Sequence, residues 1–276
     1  MRRLISVCLI LTFGLLLTVA QTSAQCCREK PSPCGENPST YREKPSTTAD
    51  AIDVDPLALK VLKAAMEPIR TAKNYSFQTR VMRENLGTNG QIITYFTTSE
   101  VIVSRPDKLR VNFRGKGRDV QLFYDAGRAV LYTPAQKLYA TVSVPKTLDG
   151  MLDALEGRGV YLPSKNFIES DPYQVLAPDL KTGYVIGEVE LFDMPVHQLA
   201  FTEDKAEWQL WVTGGANPRI QKLEVIDKGR SREPRVVVEF SNWNFNASVQ
   251  PDMFTFKVPP GAKEIEFSTL KSQGGK

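Results

Sequence analysis

The chain has 276 residues, with 35 Lys and Arg against 31 Asp and Glu and a formal net charge of +4. A charge so close to neutral gives no reason to expect nucleic acid or a strongly acidic substrate as a partner. Because the sequence contains a single histidine, a His-based metal site is not expected, and we predict neither a metal nor another cofactor.

The beginning of the chain has the order of a secretory signal peptide. Residues 2–3 are both arginine, residues 4–17 form an apolar run interrupted only by small or neutral residues, and residues 22–24 supply small side chains at a cleavage site. Residues 18–20 offer a second cleavage site, and a retained membrane anchor is the alternative interpretation. The apolar run is shorter than the roughly 20 residues that a spanning helix needs, which favours cleavage. We therefore predict a signal peptide over residues 1–24 and a bacterial protein exported to the periplasm.

Residues 25–50 differ in composition from the rest of the chain. They are rich in Pro, Ser, Thr and charged residues, and the sequence Arg-Glu-Lys-Pro-Ser occurs at 28–32 and again at 42–46. Such a segment cannot bury enough apolar surface to offset the entropy lost on ordering it. We expect a disordered tether.

The tether contains three cysteines, Cys26, Cys27 and Cys34. An odd number in an oxidising compartment permits one local disulfide and one free or intermolecular thiol. The alternative, a metal site, lacks a nearby histidine and a fourth ligand. Disulfide chemistry is therefore the favoured interpretation.

The folded domain is predicted over residues 51–268, followed by a disordered tail over 269–276. It begins with a helix, because Asp55 is a good N-cap, Pro56 suits the first helical position, and apolar residues then recur at helical spacing. Two shorter helices are predicted after Thr147 and Asp171, each a suitable N-cap.

Eleven segments have the composition of β-strands and are joined mostly by short turns. They are residues 75–84, 92–104, 109–113, 120–124, 130–132, 138–144, 184–189, 196–201, 208–212, 220–226 and 236–243. Because strands and helices do not alternate as in βαβ units, a parallel sheet is not expected.

Some of these strands are apolar on both faces. Trp208, Leu210 and Val212 point one way along their strand while Trp211 points the other. A sheet with one solvated face should alternate between apolar and polar residues, so both faces of this sheet must be covered. The pattern predicts a mainly β (α+β) fold: a curved, incomplete antiparallel β-barrel with three short helices as a lid over an apolar cavity.

A set of short stretches carries a family resemblance. They are Pro106-Asp107-Lys108-Leu109-Arg110, Phe113-Arg114-Gly115, Gln121-Leu122-Phe123-Tyr124-Asp125, Leu138-Tyr139-Ala140, Leu152-Asp153-Ala154-Leu155, Ser170-Asp171-Pro172-Tyr173, His197-Gln198-Leu199-Ala200-Phe201, Trp208-Gln209-Leu210-Trp211-Val212, Ser241-Asn242-Trp243, Phe254-Thr255-Phe256 and Pro259-Pro260-Gly261-Ala262. In this order and spacing they resemble domain-of-unknown-function family 2092, a family of predicted periplasmic proteins.

That family is similar in expected fold to the lipoprotein carriers LolA and LolB. The resemblance therefore implies a LolA-like architecture of about eleven strands with a helical lid over an apolar cavity. It implies no reaction, and it supplies no catalytic residues that could be carried over to this chain.

Residues that could support catalysis are few. His197 lies in a predicted strand without a nucleophile motif around it, so we interpret it as a packed or rim residue. Glu188 and Glu190 share one strand face and could do acid–base work, but charges near strand ends are usually solvated. We predict no catalytic residues and no enzymatic activity.

The alternation of the strands and helices predicts which side chains line the cavity. They are Leu62, Met66, Met151, Leu155, Phe201, Trp208, Leu210 and Val212. Arg110, Arg114 and Arg118 cluster around one hairpin, where they could meet lipid headgroups at the cavity rim or form a solvated edge.

These features predict a monomeric carrier or sensor for an apolar small molecule, a lipid, an acyl chain or an acylated protein. The alternative is an interaction module with a filled core that docks another envelope protein.

Overall fold

The computed structural model describes residues 53–115 and 119–268. The predicted signal peptide, the tether with its three cysteines, Arg118 and the tail at 269–276 lie outside the described residues.

The described chain consists mainly of β-strands. The strands are β1 (Asp53–Val54), β2 (Asn74–Leu86), β3 (Ile92–Ser104), β4 (Lys108–Gly115), β5 (Val120–Asp125), β6 (Arg128–Thr133), β7 (Leu138–Ser143), β8 (Thr182–Leu191), β9 (Met194–Thr202), β10 (Ala206–Thr213), β11 (Ile220–Asp227), β12 (Arg235–Asn244) and β13 (Lys263–Glu264). The helices are α1 (Pro56–Thr71), α2 (Leu148–Gly157) and α3 (Pro172–Leu176), with 3₁₀ turns at Lys165–Phe167 and Pro251–Phe254.

All thirteen strands form one curved, open sheet. Its order is β1-β8-β9-β10-β11-β12-β2-β3-β4-β5-β6-β7-β13. The eleven longer strands, β2 to β12, pair antiparallel, which confirms the predicted strand number and direction. The two-residue strands β1 and β13 were not predicted, and each adds a short parallel pair at one edge.

The three helices begin where their capping residues predict. The Asp55 carboxylate accepts a hydrogen bond from the Leu57 amide at 2.8 Å, and Pro56 follows at the first helical position. The Thr147 hydroxyl accepts from the Gly150 amide at 3.2 Å. No helix within residues 53–115 and 119–268 is long and apolar enough to cross a membrane.

The helices cover the inner face of the sheet. Their buried residues, among them Leu62 and Ile69 of α1 and Met151 and Leu155 of α2, pack in one hydrophobic core with side chains from the strands. The inner face is therefore closed by the predicted helical cover.

The outer face over β5 to β7 is covered by the C-terminal segment. The Phe256 ring lies 5.1–5.4 Å, centroid to centroid, from the rings of Phe123, Tyr132 and Tyr139. Phe254, at the end of the 3₁₀ turn, is almost fully buried. This segment explains why β5 and β6 are apolar on both faces.

Candidate ligand-binding groove

The eight side chains predicted to line a cavity all lie in the inner core. Their exposed fractions are between 0 and 2%. Two come from α1, two from α2, one from β9 and three from β10, and all belong to the same hydrophobic cluster. The structure brings these residues together, and their contact with a ligand stays a prediction.

Within that core, Phe201 and Trp208 face each other across β9 and β10. Their rings stack with centroids 4.3 Å apart. The Trp208 indole N–H donates to the Glu203 carboxylate at 2.8 Å. Burial raises the pKa of Glu203 to about 7; the Trp208 hydrogen bond opposes this rise, and the negative charges of Asp179 and Asp204 add to it.

Two small cavities border some of the predicted residues. One, of about 160 Å³, touches Phe201 and Trp208, and another, of about 220 Å³, touches Met66. Both are smaller than the roughly 300 Å³ at which small-molecule sites begin.

A larger groove, of about 870 Å³, lies at the end of the sheet where α1 finishes. One wall is the second half of α1 and the residues after it, including Ala64, Pro68 and Ala72. The loop between β10 and β11, residues 215–219, forms the opposite wall. Its residues come from a helix, a loop and a strand end, and the sequence did not identify this groove.

Aromatic rings form the floor of the groove. Trp243 lies at the end of β12, and its indole N–H donates to the Ile220 carbonyl oxygen at 2.7 Å, which fixes the ring. The ring stacks on Phe77 at 4.5 Å and on Phe245 at 5.3 Å, centroid to centroid. Because Phe77 and Trp243 belong to the inner core, the groove floor is continuous with that core.

The mouth of the groove carries positive charge. Lys73 and Arg219 line it, both are exposed, and neither has an ion-pair partner within the described part of the chain. The one lining carboxylate, Glu67, is instead bound by Arg70 at 2.6 Å. The groove thus combines an aromatic floor with two available cations.

Arg110 and Arg114, the two predicted rim arginines within the described residues, do not line this groove. Arg110 pairs with Phe123 across β4 and β5, its guanidinium lies 4.8 Å from the Phe123 ring centroid, and it donates to the Met253 carbonyl oxygen at 3.3 Å. It therefore lies on the outer face, beneath the C-terminal segment. Arg114 is exposed four residues further along the same strand. Inward-facing neighbours place Arg110 on the outer face, so it does not line the groove, and a role for the arginines at a cavity rim stays a prediction.

The single histidine and the acidic pair lie on the hairpin formed by β8 and β9. His197 is half-buried and pairs with Glu188, while Glu190 pairs with Pro195. Within residues 53–115 and 119–268, no group of three or more His, Cys, Asp or Glu side chains is placed to hold a metal ion.

The curved sheet and its helical cover agree with the architecture that the family resemblance implies. The chain belongs to that family of predicted periplasmic proteins, DUF2092, whose sequence pattern matches residues 58–268.

Several solved structures are similar to this chain. LprF from Mycobacterium bovis is 12% identical, with 76% of this chain and 100% of that chain covered and a TM-score of 0.44. The lipoprotein LppX from Mycobacterium tuberculosis is 10% identical, with 71% and 100% covered and a TM-score of 0.45. A LolA superfamily protein from Nitrosomonas europaea is 13% identical, with 72% and 97% covered and a TM-score of 0.31. No curated protein matches the sequence.

Proposed function

We propose that this protein is a non-catalytic periplasmic protein that binds a ligand with an apolar chain and an anionic head, such as a lipid, a free acyl chain or a lipoprotein anchor. The proposal rests on the groove of about 870 Å³ with its aromatic floor. Its volume lies within the range of about 300–1,000 Å³ that is typical of small-molecule sites. The signal-peptide pattern of residues 1–24 and the family description support export.

Burial of an acyl chain against this floor would supply the affinity. Each buried methylene contributes about 0.8 kcal/mol, so a chain of about ten buried methylenes against Trp243 and Phe245 would contribute about 8 kcal/mol before the cost of association is subtracted. Lys73 and Arg219 would then face the anionic head at the mouth. In this proposal, the eight inner-core side chains predicted to line a cavity lie beyond Phe77 in the same hydrophobic core. A longer acyl chain would extend towards them.

A titration with a fluorescent fatty acid tests this placement. Ala64 is exposed on α1 and lines the groove, so Ala64→Trp should fill the groove and weaken binding at least tenfold. Leu57→Trp is the matched control, because Leu57 is 52% exposed on the same helix and does not line the groove. Unchanged affinity in Ala64→Trp, with both variants folded by circular dichroism, would contradict the groove as the site.

Two core substitutions test the deeper wall. Trp208→Ala and Leu210→Asp should abolish binding of the same probe if the inner side chains contact the ligand. Their circular dichroism spectra and unfolding midpoints separate lost binding from lost folding.

The second candidate function is an interaction module of the cell envelope. It is favoured by one observation, namely that the eight predicted residues are almost fully buried against one another. If the folded wild-type protein binds no acyl probe, this function becomes the better account, and cross-linking in the periplasm would identify the partner.

A further inference from the structure

The hairpin of β8 and β9 exposes an unusual number of large apolar side chains. Tyr184 is 55% exposed, Ile186 46%, Phe192 68% and Met194 37%. Single exposed apolar residues are ordinary, but several exposed apolar side chains on one hairpin indicate a surface that contacts another molecule.

The same hairpin presents an open strand edge. On its outer side, β8 pairs only with β1, at Thr182 and Gly183, within the described residues. A bulge separates Val185 from Gly187, and regular pairing with β9 then runs from Gly187 to Leu191. The outer backbone groups of that stretch have no strand partner among the described residues and can pair with another chain.

The two residues of the turn at the tip of the hairpin adopt a backbone conformation that the side chain of Phe192 disfavours. Phe192 has φ 52° and Asp193 has φ 60°, which are left-handed values that Asn and Gly tolerate and a bulky aromatic disfavours. The Phe192 ring is largely solvent-exposed, so packing within the chain does not offset this strain. An aromatic side chain held there suits a contact outside the chain.

The hairpin is also uniformly acidic. Glu188, Glu190 and Asp193 are exposed and have no ion-pair partner among the described residues. Residues 182–202 contain no Lys or Arg. A second copy of this chain would bring carboxylates of the same sign together, whereas a basic segment would complement them.

We propose that the edge from Gly187 to Leu191, together with Phe192, docks an extended segment of another protein in which Lys or Arg alternates with apolar residues. The segment adds to the sheet as a further strand. Backbone hydrogen bonds give affinity, the acidic side chains select the basic partner, and Phe192 contacts its apolar residues. The proposal does not depend on ligand binding in the groove, which is lined by other residues.

The test uses the full exported protein and a fluorescein-labelled peptide of four Lys-Val repeats. Fluorescence anisotropy should show saturable binding that weakens as salt rises, and the matching Glu-Val peptide should not bind. The double variant Glu188→Lys with Glu190→Lys should weaken binding at least tenfold. The matched control is Glu264→Lys with Glu266→Lys, two exposed carboxylates near the opposite sheet edge that change the net charge equally and should leave binding unchanged.

Hydrogen exchange then tests the strand addition itself. Bound Lys-Val peptide should slow amide exchange between Gly187 and Leu191. The proposal is overturned if the peptide does not bind, if both double variants weaken binding equally, or if these amides gain no protection. A concentration-dependent dimer in analytical ultracentrifugation that Phe192→Asp abolishes would also overturn it, in favour of a second copy as the occupant.

Discussion

Trp208 donates its indole N–H to the carboxylate of Glu203 at 2.8 Å, across the turn that joins β9 to β10. The contact ties a core aromatic residue to an acid whose pKa burial raises to about 7. The turn therefore couples the packing of the inner core to protonation.

The first prediction concerns pH. The pKa of Glu203 is higher in the folded protein than its usual value of 4.5, so between pH 4.5 and 7 the folded state binds more protons than the unfolded state. This group's contribution to stability is greatest below pH 4.5 and falls as pH rises towards 7. Between pH 4.5 and 7, we expect the free energy of unfolding of the wild type to fall by about 1–2 kcal/mol relative to that of Glu203→Gln. The effect is reduced to this size because Glu203 is partly exposed and solvent screens its charge. Urea unfolding at several pH values measures this difference. The prediction is wrong if the free energies of unfolding of the two proteins depend on pH in the same way.

The second prediction concerns the close approach of β8 to Phe201. A Cβ atom on Gly183 would lie 2.5 Å from the Phe201 Cδ1 atom and 3.1 Å from the Val54 Cγ1 atom. The Phe201 ring is stacked on Trp208 and cannot easily move, so Gly183→Ala should lower the free energy of unfolding by about 1–3 kcal/mol.

The control for this prediction is Gly157→Ala at the end of α2, where the added Cβ would have no neighbour within 4 Å other than adjacent residues and the helix's own backbone. That variant should be neutral or slightly stabilising, because alanine favours a helix over glycine by up to about 1 kcal/mol. Chemical denaturation compares the two, and equal effects would show that Gly183 is not sterically required.

The third prediction concerns the ion-pair network beneath the helices. Lys165 lies 2.6 Å from Glu156, 3.0 Å from Asp153 and 3.5 Å from Glu169. Removing its charge leaves partly buried carboxylates close together, so Lys165→Met should cost about 2–4 kcal/mol of folding stability. Lys181→Met breaks an exposed pair with Asp204 and should cost less than about 1 kcal/mol. Similar unfolding midpoints for both variants would rule out a structural role for the network.

The fourth prediction concerns the cations at the groove mouth. Replacing both Lys73 and Arg219 by Glu should weaken binding of an anionic fatty acid at least tenfold and leave a probe with a neutral head unaffected. Lys60→Glu, an exposed cation on α1 outside the groove, is the control. Isothermal titration calorimetry at two salt concentrations measures the difference, and equal loss for both probes would contradict a headgroup role.

Much of the fold was predictable because it rests on local signals. Strand alternation and helix capping depend on residues that are close in sequence. The structure confirms the eleven strands and the caps at Asp55, Thr147 and Asp171. Strands β1 and β13 have two residues each and therefore carry no periodic signal. Their pairing depends on where α1 and the C-terminal segment place them.

The candidate site was less predictable. Alternation identifies side chains that face inward, and Leu210 and Val212 do so, but a fully buried side chain and one that lines a cavity have the same periodicity. The groove instead combines Pro68 of α1, the loop at 215–219 and Trp243 at a strand end, which are neighbours only in the folded chain. The outer-face position of Arg110 was predictable, because Leu109 and Val111 on either side of it are buried and face inward.

Native mass spectrometry of the protein purified from a bacterial periplasm, followed by organic extraction, would show whether it carries a ligand with an apolar chain. We expect a near-stoichiometric adduct that releases an acyl species on extraction and is reduced in Ala64→Trp. A clean mass for the protein alone, with no adduct after incubation with fatty acids or phospholipids, would contradict it.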